Sequence, residues 1–337
     1  MKAGSVLILA LWTLLFLGAL ALAVGAYVSG GIAAARAVQA ESTARYAAVA
    51  GVERAIREIA ARTNAWDGVQ AGAWNNDGAV FRDAPVGNGS FSVAYAYGRV
   101  NGTATNFGVI GEERAVNLNR AGSALLASLL EIAGGLSPAS ASETAAAILD
   151  WRDRNDEVEL TGGAENEYYA GQNPAYPCHN DFFESRHELL LVKGFTRELF
   201  LKLAPYVTLC GTGRVNINAA DPVVLACVAH SCGRPDRTVC ESLSRHIAEF
   251  REGIPLDSNE ALRALRASLP AREARLLSKM EGRNLLTMRS TCMGGVSTGR
   301  SGDAEADPAR PDGRGTVRRI TFVFDRNAGK LVYWFEE

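Results

Sequence analysis

Apolar and polar positions alternate along this chain in three different regimes. From Ala3 to Ala35 no side chain is charged at neutral pH, and the run "SVLILALWTLLFLGALALAVGAYV" from Ser5 to Val28 is almost wholly apolar. As a helix rising 1.5 Å per residue it would span roughly 36 Å, enough to cross a hydrocarbon core of about 30 Å. Past Arg36 the chain becomes rich in Ala, Glu and Arg, with Val49, Val52, Ile56 and Ile59 at three- and four-residue spacing. That spacing predicts one amphipathic helix face. The first proline is Pro85, so a single helix can run from the apolar segment to about Arg62. A secretory signal has a shorter apolar stretch, about 7–15 residues, closed by a cleavage site. The pattern therefore predicts a retained anchor, and Lys2 ahead of it favours a cytoplasmic N-terminus, a bias that Arg36 weakens.

The third regime is strand and helix in blocks. A Gly/Asn/Asp-rich loop at 63–89, carrying Trp66 and Trp74, precedes two alternating runs, "SFSVAYAYG" and "TNFGVIG". Helix formers dominate from about Asn117 to Glu281, broken at Gly134-Gly135, Gly162-Gly163, Gly194 and Gly211–Gly213. Strands are expected again at "NLLTMRSTC", "TVRRITFVFD" and "KLVYWFEE", the last two joined by a turn at Arg326-Asn327-Ala328-Gly329. Between them "GRSGDAEADPARPDGRG" reads as a polar, low-complexity loop. One antiparallel sheet interrupted by a helical insertion accounts for this order, whereas two consecutive domains would leave the closing strands without partners.

Within the helical block the sequence echoes itself. "VNLNRAGSALLASL" at Val116 and "VNINAADPVVLACV" at Val215 share V-N-h-N-x-A-x-x-x-x-L, and Asn119 and Asn218 are expected to cap the helices that follow. "LLLVKGFTRELFLKL" reads as a helix-hairpin-helix turn around Gly194. Lys193, Arg197 and Lys202 are its only nearby cations, too few for a phosphate-binding patch, so the turn reads as scaffold.

Composition narrows the function. The 337 residues are 47% apolar and 21% charged, with net charge −2; this argues against a general nucleic-acid binder, which concentrates Lys and Arg. No nucleophile elbow, Walker glycine pattern or dinucleotide fingerprint occurs, so no enzyme activity is expected. Six cysteines (Cys178, Cys210, Cys227, Cys232, Cys240 and Cys292) all fall in the C-terminal half. Exported, they form up to three disulfides whose pairing stays open. Cys227, His230, Cys232, Cys240 and His246 follow no strong zinc spacing. The densest candidate chemistry is "DWRDRNDEVELTGGAENEYY": Asp150, Asp153, Asn155, Asp156, Glu165 and Glu167 crowd hard oxygens around a glycine turn. Such a loop suits the irregular oxygen shell of calcium, though not as an EF-hand, or is simply an acidic surface. Asn180 and Asp181 are secondary candidates from the neighbouring loop.

Gly4 followed directly by the apolar run is similar to a type IV prepilin signal, which implies peptidase cleavage between Gly4 and Ser5 and N-methylation of Ser5. Mature position five, Glu in the major subunits, is then Leu9; an apolar residue there suits a subunit with no neighbour above it, since a buried carboxylate without its partner is costly. "AVNLNRAGSALLASLLEIAGG", "AAAILDWRDRNDEVELTGGAENEYY", "ELLLVKGFTRELFLKLAPYVTLCGTGRVNINAADPVVLACV" and "KLVYWFEE", in that order, resemble the minor pseudopilin K family of type II secretion systems. The resemblance implies an α+β, type IV pilin-like fold: a long N-terminal helix packed on an antiparallel sheet, with a large inserted helical domain. It divides the chain into a leader at 1–4, a transmembrane segment at 5–28, amphipathic helix and first strands at 29–116, the insert at 117–283 and closing strands at 284–337. It implies a tip subunit that helps start pseudopilus assembly for export of folded proteins, anchored once in the bacterial inner membrane with its head in the periplasm. Expected partners are other minor pseudopilins, the prepilin peptidase, secreted proteins and the membrane, with no nucleic acid, and calcium is the expected structural ion. The alternative from another class is a membrane-anchored DNA-binding protein using the hairpin turn.

Overall fold

A computed structural model describes residues 3–62, 66–69, 74–99, 102–158, 161–302 and 315–337; most of the polar loop expected at 299–315 lies outside them. Helix α1 (Ala3–Ala61) is continuous. Among the described residues it is the one helix long and apolar enough to cross a membrane, and its most apolar stretch is uncovered. The second half turns the expected face inward: Val52 and Ile59 are buried with Ala44, Ala48 and Ala55, while Val49 and Ile56 pack at the margin of the same core.

After α1 come a short helix α2 (Gly78–Phe81) and strands β1 (Ala84–Val86), β2 (Gly89–Arg99), β3 (Gly102–Phe107) and β4 (Ile110–Gly111). The insert opens with β5 (Val116–Asn117), α3 (Ser123–Ile132), α4 (Pro138–Arg152), α5 (Asn166–Ala170), α6 (Arg197–Leu203) and β6 (Val207–Thr208). It continues with β7 (Val215–Asn216), α7 (Pro222–Ser231), α8 (Arg237–Gly253), α9 (Asn259–Ser268), α10 (Ala271–Gly282) and β8 (Leu286–Thr287). The chain closes with β9 (Cys292–Ser301), β10 (Val317–Asp325) and β11 (Lys330–Glu336). The main sheet has the order β1-β2-β9-β10-β11, with β3 also on β2 and β4 also on β9, all antiparallel. The type IV pilin-like arrangement of helix on sheet, interrupted by a helical domain between β4 and β9, is the observed fold.

Two expectations shift. The strand anticipated across "NLLTMRSTC" survives only as Leu286–Thr287, and the long strand starts at Cys292. Its sequence "CMGGVSTGRS" carries glycines that lower strand propensity, yet one of them is what the fold needs. A Cβ on Gly299 would stand 2.0 Å from the Ala44 carbonyl oxygen and 2.3 Å from the Ala48 nitrogen. Helix backbone thus lies directly on strand backbone, and the Ser297 hydroxyl donates to the Ala48 carbonyl at 2.7 Å. Arg45 grips Glu336 with two hydrogen bonds at 2.7 and 2.8 Å, and Arg318 pairs with Glu41.

The second shift concerns the echo, which is a structural duplication at a constant offset from 116–152 to 215–251. Asn119 and Asn218 do not cap helices; Gly122 and Asp221 occupy the N-cap positions of α3 and α7. Instead Asn117 and Asn216 each accept from the backbone N–H two residues on, at 2.8 and 2.9 Å. Asn119 and Asn218 each hold a distant backbone by two bonds, Asn119 at Phe183 and Asn218 at Leu256. Arg152 donates to the carbonyls of Leu118 and Ala121, and Arg251, at the equivalent place, to those of Ile217 and Ala220. Each unit is closed by a parallel two-residue ladder, β5 with β6 and β7 with β8. The sequence pattern was right about the repeat, but the amides serve long-range closure, which local spacing does not encode.

The insert is fastened to the sheet by buried polar groups. Asp67 accepts from the Ser290 N–H at 2.5 Å and the Asn216 side chain at 2.9 Å, and Glu113 accepts from the N–H and hydroxyl of Thr291 at 2.7 and 2.5 Å. Beside them a disulfide joins Cys210 to Cys292 across 82 positions, while Cys178, Cys227, Cys232 and Cys240 are buried thiols.

Two outcomes are expected. Gly299→Val should destabilise the protein by about 3 kcal/mol or more by levering α1 off β9, read from thermal unfolding; an unchanged midpoint would contradict the close packing. The Cys210→Ser/Cys292→Ser pair should lose about 4 kcal/mol, the loop-closure contribution for a crosslink of this span, read from denaturant midpoints.

Candidate metal centre

The duplication locates the acidic cluster. In the second unit the chain passes from Arg251 at the end of α8 almost directly to Leu256, the segment held by Asn218. In the first it leaves Arg152 and returns to Phe183, held by Asn119, only after a long excursion. That excursion carries the acids. Asp150 is buried in the last turn of α4, Asp153 is its C-cap, and Glu165 stands at the N-cap of α5 without capping it. Each offers one carboxylate oxygen within 4.8 Å of the other two.

Backbone geometry brings them together. Gly162 has φ +96, and a Cβ on Gly163 would lie 2.0 Å from an Asp150 oxygen, so the loop presses on the end of α4 as only glycine allows. The Ala164 N–H donates to that Asp150 oxygen at 2.8 Å. On the far side the Cys178 N–H donates to the Asn166 side chain at 2.8 Å and the Cys178 thiol to the Asp150 carbonyl at 3.8 Å. Trp151 packs edge-on against Tyr169 and stacks on His179, giving the loop an aromatic floor.

Of the six candidates from the sequence, the structure gathers Asp150, Asp153 and Glu165. Asn155 bonds Asp153 and the Glu157 N–H, Asp156 accepts from Asn166, and Glu167 is exposed. Asp156, Glu165, Glu167 and Tyr168 line an adjoining open cavity of about 360 Å³. Asn180 has φ +50 and a buried side-chain oxygen without a hydrogen-bond partner, whereas Asp181 is exposed and pairs with Arg154. His230 and His246 are taken up elsewhere, His230 facing Ser128 and Glu131 and His246 bonding Glu273 at 2.6 Å.

The cluster is electrostatically unfinished. Both Glu165 oxygens and one Asp153 oxygen are buried without a hydrogen-bond partner. Burial first, then the charges of Asp150 and Asp153, push Glu165 from the ordinary 4.5 up to about 7; the Cys178 thiol pulls the other way, outside good hydrogen-bond geometry. A donor set of oxygens alone suits a hard cation, whose charge would relieve the repulsion among the three acids.

Residues 110–212 match the family model described as type II secretion system (T2SS), protein K. The chain carries a protein K domain. The matched span runs from β4 past β6, so the protein K domain contains the whole first unit, the excursion and the acidic cluster. Proteins named type II secretion system protein K from Aeromonas hydrophila and Klebsiella pneumoniae are 38% identical over 78 residues and 37% over 90 residues. These matches span 23% and 26% of this chain and about a quarter of each relative, 24% and 27%. A chain of the GspK-GspI-GspJ complex of the enterotoxigenic Escherichia coli type 2 secretion system superposes with TM-score 0.62 at 15% identity, over 90% of this chain and 99% of that one. The likeness establishes the shared fold.

The raised Glu165 value has a signed consequence. The folded protein K domain holds this proton more tightly than the unfolded chain, so the stability it contributes is complete below about pH 4.5 and is lost as pH rises through about 7. Asp67, Glu113 and Asp221 are also raised by burial and add slope of the same sign. In metal-free buffer the melting temperature of the wild type should therefore fall from pH 5 to pH 7.5 more steeply than that of Glu165→Gln; parallel curves would refute the assignment.

Proposed function

We propose that this chain is a minor pseudopilin at the tip of a type II secretion pseudopilus. The observation that carries this reading is the division of α1: one uninterrupted helix, uncovered and apolar at its start and packed on the sheet at its end. The first half sits in the inner membrane and later in the helical core of the filament, and the head stands in the periplasm. Leu9 removes the carboxylate that a subunit within the filament would pair with its upper neighbour, and the bulky insert between β4 and β9 crowds the space where another subunit would add. Both favour a terminal position. By analogy with the complex named for its relative, the partners are other minor pseudopilins. Cleavage after Gly4 by the prepilin peptidase and methylation of Ser5 complete the maturation, and the head is available to secreted proteins.

In this reading Asp150, Asp153 and Glu165, with Asn180 as a neutral oxygen donor nearby, hold a calcium ion. The ion supplies the positive charge that the buried carboxylates lack and closes the 153–182 excursion onto α4. Its work is structural: millimolar calcium outside the cytoplasm keeps the site filled rather than signalling.

Mass spectrometry of the mature N-terminus tests the first part. N-methylated Ser5 is expected, and an intact Met1 would overturn the pseudopilin reading. For the ion, chelation should lower the wild-type melting temperature and leave Asp150→Asn/Glu165→Gln unaffected; a wild type indifferent to chelator would remove calcium from the account.

A further inference from the structure

The turn around Gly194 reads in the sequence as a helix-hairpin-helix element without a nucleic-acid patch to serve. In the structure the segment before it is a 3-10 helix at Arg186–Leu191 and the one after it is α6, so Lys193 and Gly194 form the bend. Gly194 has φ +85 and presses on α4, where a Cβ would stand 2.7 Å from the Thr144 hydroxyl. Seated there, the half-buried Lys193 reaches towards the acid-bearing loop. Its ammonium donates to the carbonyls of Gly162 and Gly163, each at 3.1 Å, and lies 5.0 Å from the centre of the Tyr168 ring. Its own N–H donates to the Tyr169 hydroxyl at 3.3 Å. The two carbonyls immediately precede Ala164, whose N–H holds Asp150, and Glu165.

From this geometry we propose that Lys193 is the positioning residue of the acidic cluster, a tethered cation that fixes the 162–165 loop so that Glu165 meets Asp150 and Asp153. The proposal rests on the cation-binding reading above. A loop with glycines at 162 and 163 has much backbone freedom to lose on closing around an ion. Charge-assisted hydrogen bonds to two successive carbonyls remove that freedom beforehand, so less ordering is left for the ion to drive.

The test is a titration of the full chain in detergent, freed of metal by chelation, with calcium and with terbium as a luminescent substitute excited through Trp151 and its neighbouring tyrosines. Lys193→Met should weaken calcium binding 10- to 100-fold, the usual effect of losing an outer-shell partner, while terbium luminescence at saturation stays near the wild-type level. Lys193→Arg, which still donates to both carbonyls, should recover most of the affinity. Lys202→Met, which removes a cation paired with Glu198 on the same helix, should leave it unchanged. Wild-type affinity in Lys193→Met, or an equal loss in Lys202→Met, overturns the proposal. A wild type that binds no calcium fails before any variant is made, and then the cation reading itself is wrong. Should Lys193→Met not fold, Lys193→Gln takes its place with hydrogen exchange as the readout: the Ala164 amide should exchange faster than in the wild type without calcium, and equal protection overturns the clamp.

Discussion

Strand β9 meets α1 backbone to backbone, and the placement of everything else follows from that contact. Gly299 leaves no room for a side chain between the strand and the Ala44–Ala48 turn of the helix, and Ser297 bonds the helix carbonyl beside it. The same strand pairs with β2 on one side and β10 on the other and also receives β4. Its first residue, Cys292, is bonded to the insert through Cys210. One strand therefore registers the anchor, the sheet and the helical domain against each other.

Much of this was legible from pattern, because the pattern has a local physical cause. The inward face of α1 follows from the spacing of Val52, Ile56 and Ile59, and the closing hairpin from the polar turn ending in Gly329, which has φ +64. β9 was not legible, because the glycines that let the helix approach are the residues that make a sequence look unlike a strand. The pairing of Cys210 with Cys292 was not legible either, since a crosslink over 82 positions is set by how the insert returns to the sheet. The asparagine echo showed that a unit repeats without showing its use, as the segments at Phe183 and Leu256 that Asn119 and Asn218 hold share no motif with them.

For the acidic segment, the sequence supplied six oxygen-bearing residues and no means of choosing among them. Spacing places Asp150 and Asp153 on one helix end, but Glu165 joins them only because the Gly162-Gly163 bend presses against Asp150. Asn155 and Asp156 have similar side chains at similar spacing, and they are occupied by hydrogen bonds within the loop. Lys193 went unrecognised because a single lysine beside a glycine turn carries no signal until the carbonyls it meets are known.

Three buried carboxylates separate joint from site. Asp67, Glu113 and Glu165 are all driven upward by burial. Asp67 and Glu113 accept hydrogen bonds from Ser290, Asn216, Thr291 and Cys292, and these bonds knit the insert to the sheet. A buried acid satisfied in this way is complete, and its value lies in specifying one arrangement of the two domains. Glu165 is also withdrawn from solvent, but neither of its oxygens has a hydrogen-bond partner and two further carboxylates stand against it. Folding alone gives no return for bringing three acids together and leaving both Glu165 oxygens and one Asp153 oxygen without a hydrogen-bond partner, since each unsatisfied group costs free energy. A bound cation, as proposed, or a proton on Glu165 would relieve that cost. On the proposed calcium reading, the excursion that distinguishes the first unit from the second is an element completed by a ligand, mounted on a frame that is complete without one.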